Sequence, residues 1–320
     1  MMSSPSGRKE IISAVLLAVL IPLLLFWNMP RQPHLSSSMA VAAEFSDEAE
    51  KVCVVMDPAL PEASGIAMSR RQDNSIWIHN DSGDSARLFL VGLDGRTRAI
   101  VSARDIQPMD WEDMCSFELD GEKWLLVGDI GDNGRVRGKS APVCRLLLFR
   151  EPELTSSTAT PEEPPQQLIE VVSVTEFSFP DGPQDCESLA VDTKRREILL
   201  LTKTEPLNCR LFRLPLRLGP GPQQTPAEPV ASLGVPWATA MDISPDGLRM
   251  VVVNMFSGAL IERTATESWS EACQRPVTVL TLPPRRQGEA VCFECGGQSV
   301  LLNSEGLEQP LWRIRLPKRL

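Results

Sequence analysis

From about residue 50 onward the chain alternates between short apolar runs and turn residues, chiefly Gly, Pro, Asn and Asp. Beyond the first few dozen residues it contains no long stretch with a helical period. Short apolar runs bounded by turn residues are typical of β-strands. The pattern therefore predicts an all-β protein.

The predicted strands repeat along the chain. Self-alignment gives five related segments, each with three strands in the same order. The first strands lie at 64–69 (SGIAMS), 112–117 (EDMCSF), 187–192 (ESLAVD), 239–244 (TAMDIS) and 289–294 (EAVCFE). The second strands lie at 75–80, 124–129, 198–203, 250–254 and 300–304, and the third at 87–91, 144–149, 209–214, 259–263 and 311–316. Most first strands start about 50 residues apart, a period typical of the four-stranded blades of a β-propeller.

Fourth strands complete most of these units. They fit at 97–103, 168–179, 230–235 and 276–282. The fifth unit runs out of chain, but residues 51–56 (KVCVVM) stand unused before the first unit and can supply its last strand. Such a strand closes the ring and covers a sheet edge. We predict a five-bladed propeller over residues 44–320, closed by this N-terminal strand.

One interval between first strands is longer than the others. It contains an insert at 151–167 rich in Pro, Glu, Ser and Thr, which predicts a surface loop. A divergent blade hidden in 151–180 or 215–237 would make the count six, and this alternative stays open.

The N-terminus has a different pattern. Arg8 and Lys9 precede an apolar run at 11–27, and small residues follow at 39–43. This order is typical of a secretory signal with cleavage near the last small residues. The run is slightly short for a membrane span, but an uncleaved anchor remains an alternative. We expect residues 1–43 to be a signal peptide or an N-terminal membrane anchor. The rest would be periplasmic or secreted, with membrane contact only through that segment.

Composition narrows the chemistry. Lys and Arg number 32 against 42 Asp and Glu, a formal charge of −10, and there are 2 His and no Tyr. Nucleic-acid binding is excluded because it needs clustered cations. His34 lies near the N-terminus, so a multi-histidine zinc site is excluded and a Ser-His-Asp triad would require His79. Carboxylates are the abundant chemical groups.

The 8 cysteines all follow the N-terminal segment. In an oxidising compartment they permit up to four disulfides, whose pairing the sequence does not determine. The C-x-x-C at 292–295 lacks the context of a redox motif and the second pair of a zinc ribbon, so we interpret it as structural.

Several motifs carry a resemblance to known propellers. The SPDG turn at 244–247 resembles the turns of TolB and YVTN repeats. From about residue 62 to 306 the chain resembles a bacterial secreted family of phytase-like or esterase-like propellers. The matching pieces are 77–83 (WIHNDSG), 110–113 (DWED), 128–134 (GDIGDNG), 185–190 (DCESLA), 202–203 (TK) and 288–290 (GEA). The resemblance implies a calcium-dependent propeller whose acidic channel mouth acts on phosphate esters or lactones. Members are described as six-bladed, against the five units counted above.

The repeat itself also predicts an acidic mouth at one end of the channel. The first strand of each blade lines the channel, so the first residues of these strands converge. They are Ser64, Glu112, Glu187, Thr239 and Glu289. A second column follows the second strands and should lie at the same mouth: Asn80, Asp81, Asp129, Lys203, Asn254, Ser304 and Glu305. Clustered carboxylates repel one another or recruit a cation, and hard oxygen ligands suit calcium.

Individual roles follow from these columns. We predict calcium ligands among Glu112, Asp129, Asp132, Asn133, Glu187 and Glu289. The loop at 129–134 has a hairpin turn as its alternative, in which Asp and Asn bond their own backbone. If residues 110–113 are extended, Asp110 and Glu112 share one face and Asp113 takes the other.

The catalytic candidates are Glu187, Lys203 and Glu289, with Asn80, Asp81, Asn254 and Glu305 as further residues of the channel mouth. Lys203 would hold an anionic substrate, or else form a salt bridge to Glu187 or Glu205. We interpret His79 as packed, and Arg285 with Arg286 as a solvated turn. Trp77, Trp124, Trp237 and Trp312 are predicted to pack between sheets.

Two functions from different classes remain. The first is a secreted calcium-dependent hydrolase of phosphate esters, other esters or lactones, acting on a small anionic substrate. The second is a non-catalytic propeller that binds a protein, peptide or glycan and in which the metal is structural. We expect a monomer in either case.

Overall fold

The computed structural model describes residues 41–45, 47–154, 164–203 and 209–319. These ranges contain 23 strands and one short helix. The strands are β1 (Val41–Phe45), β2 (Glu50–Val54), β3 (Ala63–Met68), β4 (Ser75–Asn80), β5 (Arg87–Gly92), β6 (Thr97–Ala103), β7 (Trp111–Leu119), β8 (Glu122–Asp129), β9 (Cys144–Arg150), β10 (Gln166–Ile169), β11 (Val171–Ser178), β12 (Cys186–Asp192), β13 (Glu197–Thr202), β14 (Cys209–Pro215), β15 (Gly221–Pro226), β16 (Glu228–Leu233), β17 (Ala240–Ile243), β18 (Arg249–Val253), β19 (Ser257–Glu262), β20 (Val277–Thr281), β21 (Ala290–Phe293), β22 (Ser299–Asn303) and β23 (Pro310–Arg315). The helix is α1 (Trp269–Ala272), which a capping box of Ser268 and Glu271 begins.

The strands form five antiparallel blades. Blade 1 is β3 to β6, blade 2 is β7, β8, β9 and β11, and blade 3 is β12, β13, β14 and β16. Blade 4 is β17 to β20, and blade 5 is β21, β22, β23 and β2. The innermost strands contact one another in the order β3, β7, β12, β17 and β21, and β21 contacts β3 again. This closed ring confirms the predicted five-bladed, all-β propeller.

The N-terminal strand closes the ring as predicted. β2 pairs antiparallel with β23, with Glu50 opposite Arg313 and Lys51 opposite Trp312. Arg313 also donates to Glu50 at 3.0 Å across this pair. The two ends of the chain are therefore joined within blade 5, which covers an edge that would otherwise be open.

The stretches considered for a sixth blade form outer strands instead. β10 adds parallel to β6, and β15 adds parallel to β11, so blades 1 and 2 each have five strands. β10 begins at Gln166, so the end of the insert at 151–167 is a paired strand rather than a loop. Residues 155–163 of that insert lie outside the described residues.

β1 gives blade 4 a fifth strand in the same way, parallel to β20. The cleavage position predicted near Ala42 or Ala43 lies within this strand. Residues 1–40, which hold most of the predicted signal or anchor, lie outside the described residues. Among the described helices, none has the length and apolar character to cross a membrane.

Apolar side chains fill the spaces between neighbouring blades. Leu126 and Leu148 of blade 2, for example, pack with Leu189, Leu200 and Phe212 of blade 3. Equivalent clusters lie between each other pair of neighbours. Each buried side chain of this size contributes about 1.5–3 kcal/mol. Packing between blades, repeated around the ring, therefore holds the channel geometry.

Tryptophan and cysteine positions test two further predictions. Trp77 and Trp124 are buried between blades as predicted, and Trp312 is partly buried there. Trp237 is 38% exposed, so the packing prediction is wrong for it. All eight cysteines are free thiols, and the predicted disulfides are not confirmed.

Candidate functional site

The two predicted columns meet at one end of the channel, which we call the upper mouth. There the innermost strands begin, and a backbone hydrogen bond recurs in four blades. It joins a residue just after the second strand to the residue two positions before the predicted start of the first strand. The bonds run from the N–H of Asp81 to Glu62 (2.8 Å), Ile130 to Asp110 (3.0 Å), Lys203 to Asp185 (2.9 Å) and Glu305 to Gln287 (2.9 Å). The repeat thus places both sets of side chains at the upper mouth.

Three carboxylates of the upper mouth form a compact group, which we call the acid trio. One oxygen from each of Asp81, Asp110 and Glu112 lies within 4.8 Å of the others. Asp81 belongs to blade 1, and Asp110 with Glu112 belongs to blade 2. Asp110 and Glu112 share a face, as strand alternation predicts. The repeat position two residues before the column could have identified Asp110, which was not among the predicted ligands.

Burial and mutual repulsion set the charge of the acid trio. Burial, together with the charge of Asp81, raises the pKa of Asp110 to about 6. The pKa of Glu112 is raised well above its usual value by burial and then by Glu187, Asp81 and Asp110. Burial also raises the pKa of Asp81, with Glu289 adding to the effect. Acids from four blades therefore act on one another at this mouth.

The acid trio has the oxygen spacing of a cation site. Oxygens around one calcium ion lie within about 5 Å of one another, because each Ca–O distance is about 2.4 Å. Within the described ranges no hydrogen bond reaches the carboxylate of Glu112. Gly131 faces the trio, and a Cβ there would collide with the carboxylates of Glu112 and Asp110. These residues therefore fit a hard divalent cation.

Glu187 and Lys203 form an ion pair beside the acid trio. Lys203 Nζ donates to Glu187 Oε2 at 2.6 Å. Burial raises the pKa of Glu187 to about 8, although Lys203 opposes the shift. Burial lowers the pKa of Lys203, but Glu187 and the other acids outweigh it, so the net shift is upward. The lysine side chain is 26% exposed, so the ion pair still faces the mouth.

Glu289 and Glu305 form a carboxyl pair on blade 5. Burial, together with a hydrogen bond to Glu289, raises the pKa of Glu305 to about 9. Gln287 Nε2 donates to Glu289 Oε1 at 3.2 Å. Glu305 therefore holds its proton at neutral pH. The pair can therefore release a proton to a bound molecule.

The loop at 129–134 differs from its predicted role. Asp129 is fully buried, and its carboxylate accepts from Arg137 Nη2 at 2.7 Å and from Arg145 Nε at 2.9 Å. Burial acts to raise the pKa of Asp129, but the two arginines outweigh it and hold the pKa low. Both oxygens are thus committed to arginines that the sequence did not reveal as partners. This corrects the interpretation of Asp129 as a calcium ligand.

Asp132 and Asn133 are also not part of the acid trio. The carboxylate of Asp132 accepts the N–H groups of Val136 (2.7 Å) and Arg137 (3.1 Å), which is the hairpin-turn alternative. Asn133 is exposed. The N–H of Asp132 donates to Asp185 Oδ1 at 3.0 Å, so the loop ties blade 2 to blade 3.

Asn80 and Asn254 lie at the upper mouth as predicted, but their side-chain amides form hydrogen bonds with backbone groups. Asn80 Nδ2 donates to the carbonyl of Ala59 at 2.8 Å, and its Oδ1 accepts from the N–H of Glu62. Asn254 Oδ1 accepts from the N–H of Phe256 at 2.8 Å. These residues shape the mouth rather than offer free ligands.

The structure agrees with the prediction for His79 and differs from the prediction for Arg285. His79 is fully buried, and burial lowers its pKa to about 4, as expected of a packed histidine. Its ring and that of Trp111 are nearly perpendicular, with a centroid distance of 5.4 Å. Arg285 is not a solvated turn residue, because its Nη2 donates to the carbonyl of Asn254 at 2.7 Å and its other nitrogens are enclosed. Arg286 is exposed.

Fold and site together define a five-bladed β-propeller with a carboxylate-rich channel mouth. No family model matches the chain, and no curated protein matches it. Solved structures with a similar fold include the PQQ-bound aldose sugar dehydrogenase of Streptomyces coelicolor. It is 10% identical, with 84% of this chain and 98% of that chain covered and a TM-score of 0.46. Another is a gluconolactonase of Xanthomonas campestris, 11% identical, with 82% and 89% covered and a TM-score of 0.46. The resemblance to phytase-like or esterase-like propellers is confirmed only as far as the propeller fold.

Proposed function

We propose that this protein is a calcium-dependent hydrolase of small anionic esters, meaning phosphate esters, other esters or lactones, which acts at the upper mouth. The acid trio carries this proposal, because three carboxylates within 4.8 Å of one another repel unless they are protonated or share a cation. Asp81, Asp110 and Glu112 would hold the calcium ion. A bound calcium ion would polarise a phosphoryl or acyl oxygen of the substrate.

The remaining chemistry belongs to groups beside the trio. Lys203 carries a positive charge facing the mouth, so it orients an anionic substrate. Glu187 takes a proton from the attacking water in its ionised form, which its pKa of about 8 makes a stronger base than an ordinary carboxylate but the minor form at neutral pH. The proton that Glu305 holds goes to the leaving alkoxide, because burial keeps Glu305 protonated at neutral pH. Water thus adds to the phosphoryl or acyl centre as the ester bond breaks. Glu187 receives one proton from the water, and the leaving alkoxide receives one from Glu305.

Calcium binding and hydrolysis are tested separately. Calorimetric titration of the chelator-treated protein should show calcium binding that Glu112→Gln abolishes. Glu118→Gln is the matched control, because Glu118 is an exposed acid on the same strand β7.

Hydrolysis of aryl phosphates, aryl carboxylates and lactones should then require calcium and fall at least a hundredfold in Glu187→Gln. Absence of calcium binding by the wild-type chain would overturn the proposal.

A binding propeller without catalysis is the second candidate. The ion pair between Lys203 and Glu187 favours it, because at 2.6 Å the lysine already has a carboxylate partner. In that case calcium would still bind and raise the melting temperature. Glu187→Gln and Lys203→Ala would leave every measured hydrolysis rate unchanged.

We also propose that the protein is exported, on the basis of the basic, apolar and small-residue order of residues 1–43. Fractionation of the expressing cells with an antibody against the propeller should find it outside the cytoplasm. Recovery of the full-length chain in the cytoplasm would contradict this.

A further inference from the structure

Blade 4 departs from the polar pattern of the upper mouth. The position two residues before the first column is Glu62, Asp110, Asp185 and Gln287 in the other four blades, and Trp237 in blade 4. Trp237 is 38% exposed and has a φ of 49°, which is unusual for a bulky side chain. Backbone strain of this kind clusters at binding sites. The repeat therefore places an exposed indole where other blades have polar groups.

Two more exposed apolar side chains lie in a turn that is hydrogen-bonded to the segment of Trp237. Met255 is 39% and Phe256 is 75% exposed, in the turn that follows β18. Asn254 joins this turn to the tryptophan, because its Nδ2 donates to the carbonyl of Pro236 at 3.0 Å while its Oδ1 accepts from Phe256. We call Trp237, Met255 and Phe256 the blade 4 patch.

A cation without a counterion borders this patch. Arg285 Nη2 donates to the carbonyl of Asn254 at 2.7 Å, whereas Nε and Nη1 are enclosed and have no hydrogen-bond partner. The guanidinium lies against Gly288, where a Cβ would collide with it. Within the described residues no carboxylate forms a salt bridge with Arg285. Buried charges normally have a partner, because desolvation is costly. Burial lowers the pKa of Arg285 to about 10, which still leaves it charged at neutral pH.

The patch lies across the mouth from the acid trio. The ring order puts blade 4 between blades 3 and 5, whereas the trio belongs to blades 1 and 2. A small molecule whose reacting end meets the trio would extend its other end toward blade 4. The mouth is therefore polar and acidic on one side, and apolar with one positive charge on the other.

We propose that the blade 4 patch with Arg285 is the subsite for the non-reacting part of the substrate. A flat ring packs on Trp237 and Phe256, and a negative group on that ring pairs with the Arg285 guanidinium beside the patch. The substrate class is thus an ester that carries a ring with its own anionic group. The position of the reacting end rests on the function proposed above, whereas the subsite stands on blade 4 alone.

The probe for this subsite is phenylphosphonate, titrated calorimetrically into the full chain in the presence of a chelator. Methylphosphonate, which lacks the ring, and benzyl alcohol, which lacks the charge, are the paired probes. Phenylphosphonate should bind about tenfold more tightly than methylphosphonate, because of ring packing on the indole. Trp237→Ala should remove that preference while leaving methylphosphonate affinity unchanged.

Arg285 and its neighbour provide the charge test. Arg285→Met should weaken phenylphosphonate binding by at least about tenfold, because a charged hydrogen bond is lost. Arg286→Met is the matched control and should bind as the wild type does. Arg285→Lys keeps the charge but not the planar donor fork, so it should retain part of the affinity. It also provides a readout if the methionine variant has a lowered melting temperature.

Three results would overturn the subsite: no phenylphosphonate binding, equal affinity for the phenyl and methyl probes, or equal losses in Arg285→Met and Arg286→Met. These results are independent of calcium, because the titration is done with chelator. Failure of calcium binding would overturn the proposed hydrolase but leave the phenylphosphonate result unaffected.

Discussion

Glu112 and Asp113 are adjacent acids on β7, and both are buried, yet their surroundings differ. Asp113 accepts the N–H groups of Met114 (2.9 Å), Leu189 (2.9 Å) and Met241 (3.2 Å), which joins blades 2, 3 and 4. Glu112 faces other carboxylates, and no hydrogen bond within the described ranges reaches its side chain. The pKa of both residues is raised by burial. The hydrogen-bond partners, rather than the pKa shifts, therefore distinguish the structural acid from the candidate site acid.

The same contrast extends along the channel. Asp242 of blade 4 accepts the N–H groups of Ile243 (2.8 Å) and Phe293 (2.7 Å), and so joins blade 4 to blade 5. It lines a cavity of about 220 Å³ together with Arg70 and Ser116, at the end of the innermost strands away from the acid trio. Arg70 Nε donates to Ser116 Oγ at 3.0 Å. Acids at this end hold blades together, whereas acids at the upper mouth repel one another.

The largest expected effect is the loss of stability when Asp113, the structural acid, is replaced. Asp113→Ala leaves three buried N–H groups without an acceptor, so we expect a loss of about 3–5 kcal/mol in the free energy of unfolding. Glu112→Ala removes a like charge from the acid trio and should cost less than about 1 kcal/mol. Urea unfolding of both variants in chelator measures the difference. Equal destabilisation would show that the two acids are not distinct.

The second prediction concerns pH. Burial raises the pKa of Glu187 to about 8 and that of Glu305 to about 9. Between an ordinary Glu pKa of about 4.3 and these values the folded chain binds more protons than the unfolded chain. Stability in chelator should therefore fall as the pH rises from about 5 to about 9, because a raised carboxyl pKa destabilises the ionised folded state.

Calcium should offset this loss near pH 8–9, since it binds the ionised carboxylates of the folded state. Melting temperatures measured across this range, with chelator and with calcium, test both statements. Glu305→Gln should flatten the chelator curve, whereas Glu118→Gln should not change it. A melting temperature in chelator that rises with pH would contradict the assigned shifts.

The smallest expected effect is local to the acid trio. Gly131→Ala places a Cβ against the carboxylates of Glu112 and Asp110, so calcium affinity should fall about tenfold with little change in stability. Gly134→Ala is the control in the same loop, because the nearest atom to its Cβ is 3.6 Å away, on Val136. Calcium titration of the two variants measures the difference. Equal affinities would place the cation elsewhere at the mouth.

Much of the candidate site could be predicted from register. Glu112, Glu187 and Glu289 each lie at the start of an innermost strand. Lys203 and Glu305 each follow a second strand, so the repeat alone predicts that all five share the upper mouth. Asp129 occupies the same kind of position but binds Arg137 and Arg145 instead. These arginines lie in irregular chain and in β9, and no period in the sequence marks them as partners. Only the tertiary structure could therefore show that Asp129 pairs with arginines and is not a calcium ligand.

The sequence by itself determined the all-β propeller, the closing strand and the order of the innermost strands, and it predicted five blades with six left open. These depend on local properties, namely short apolar runs, turn residues and a recurring spacing, which each segment specifies without its neighbours. The tertiary structure alone decided which buried acids are satisfied, that Trp237 is exposed and that Arg285 is enclosed without a counterion. Those properties depend on donors and apolar surfaces from other blades. Residues such as Asp113 and Met241, which are distant along the chain, become neighbours only when the ring closes.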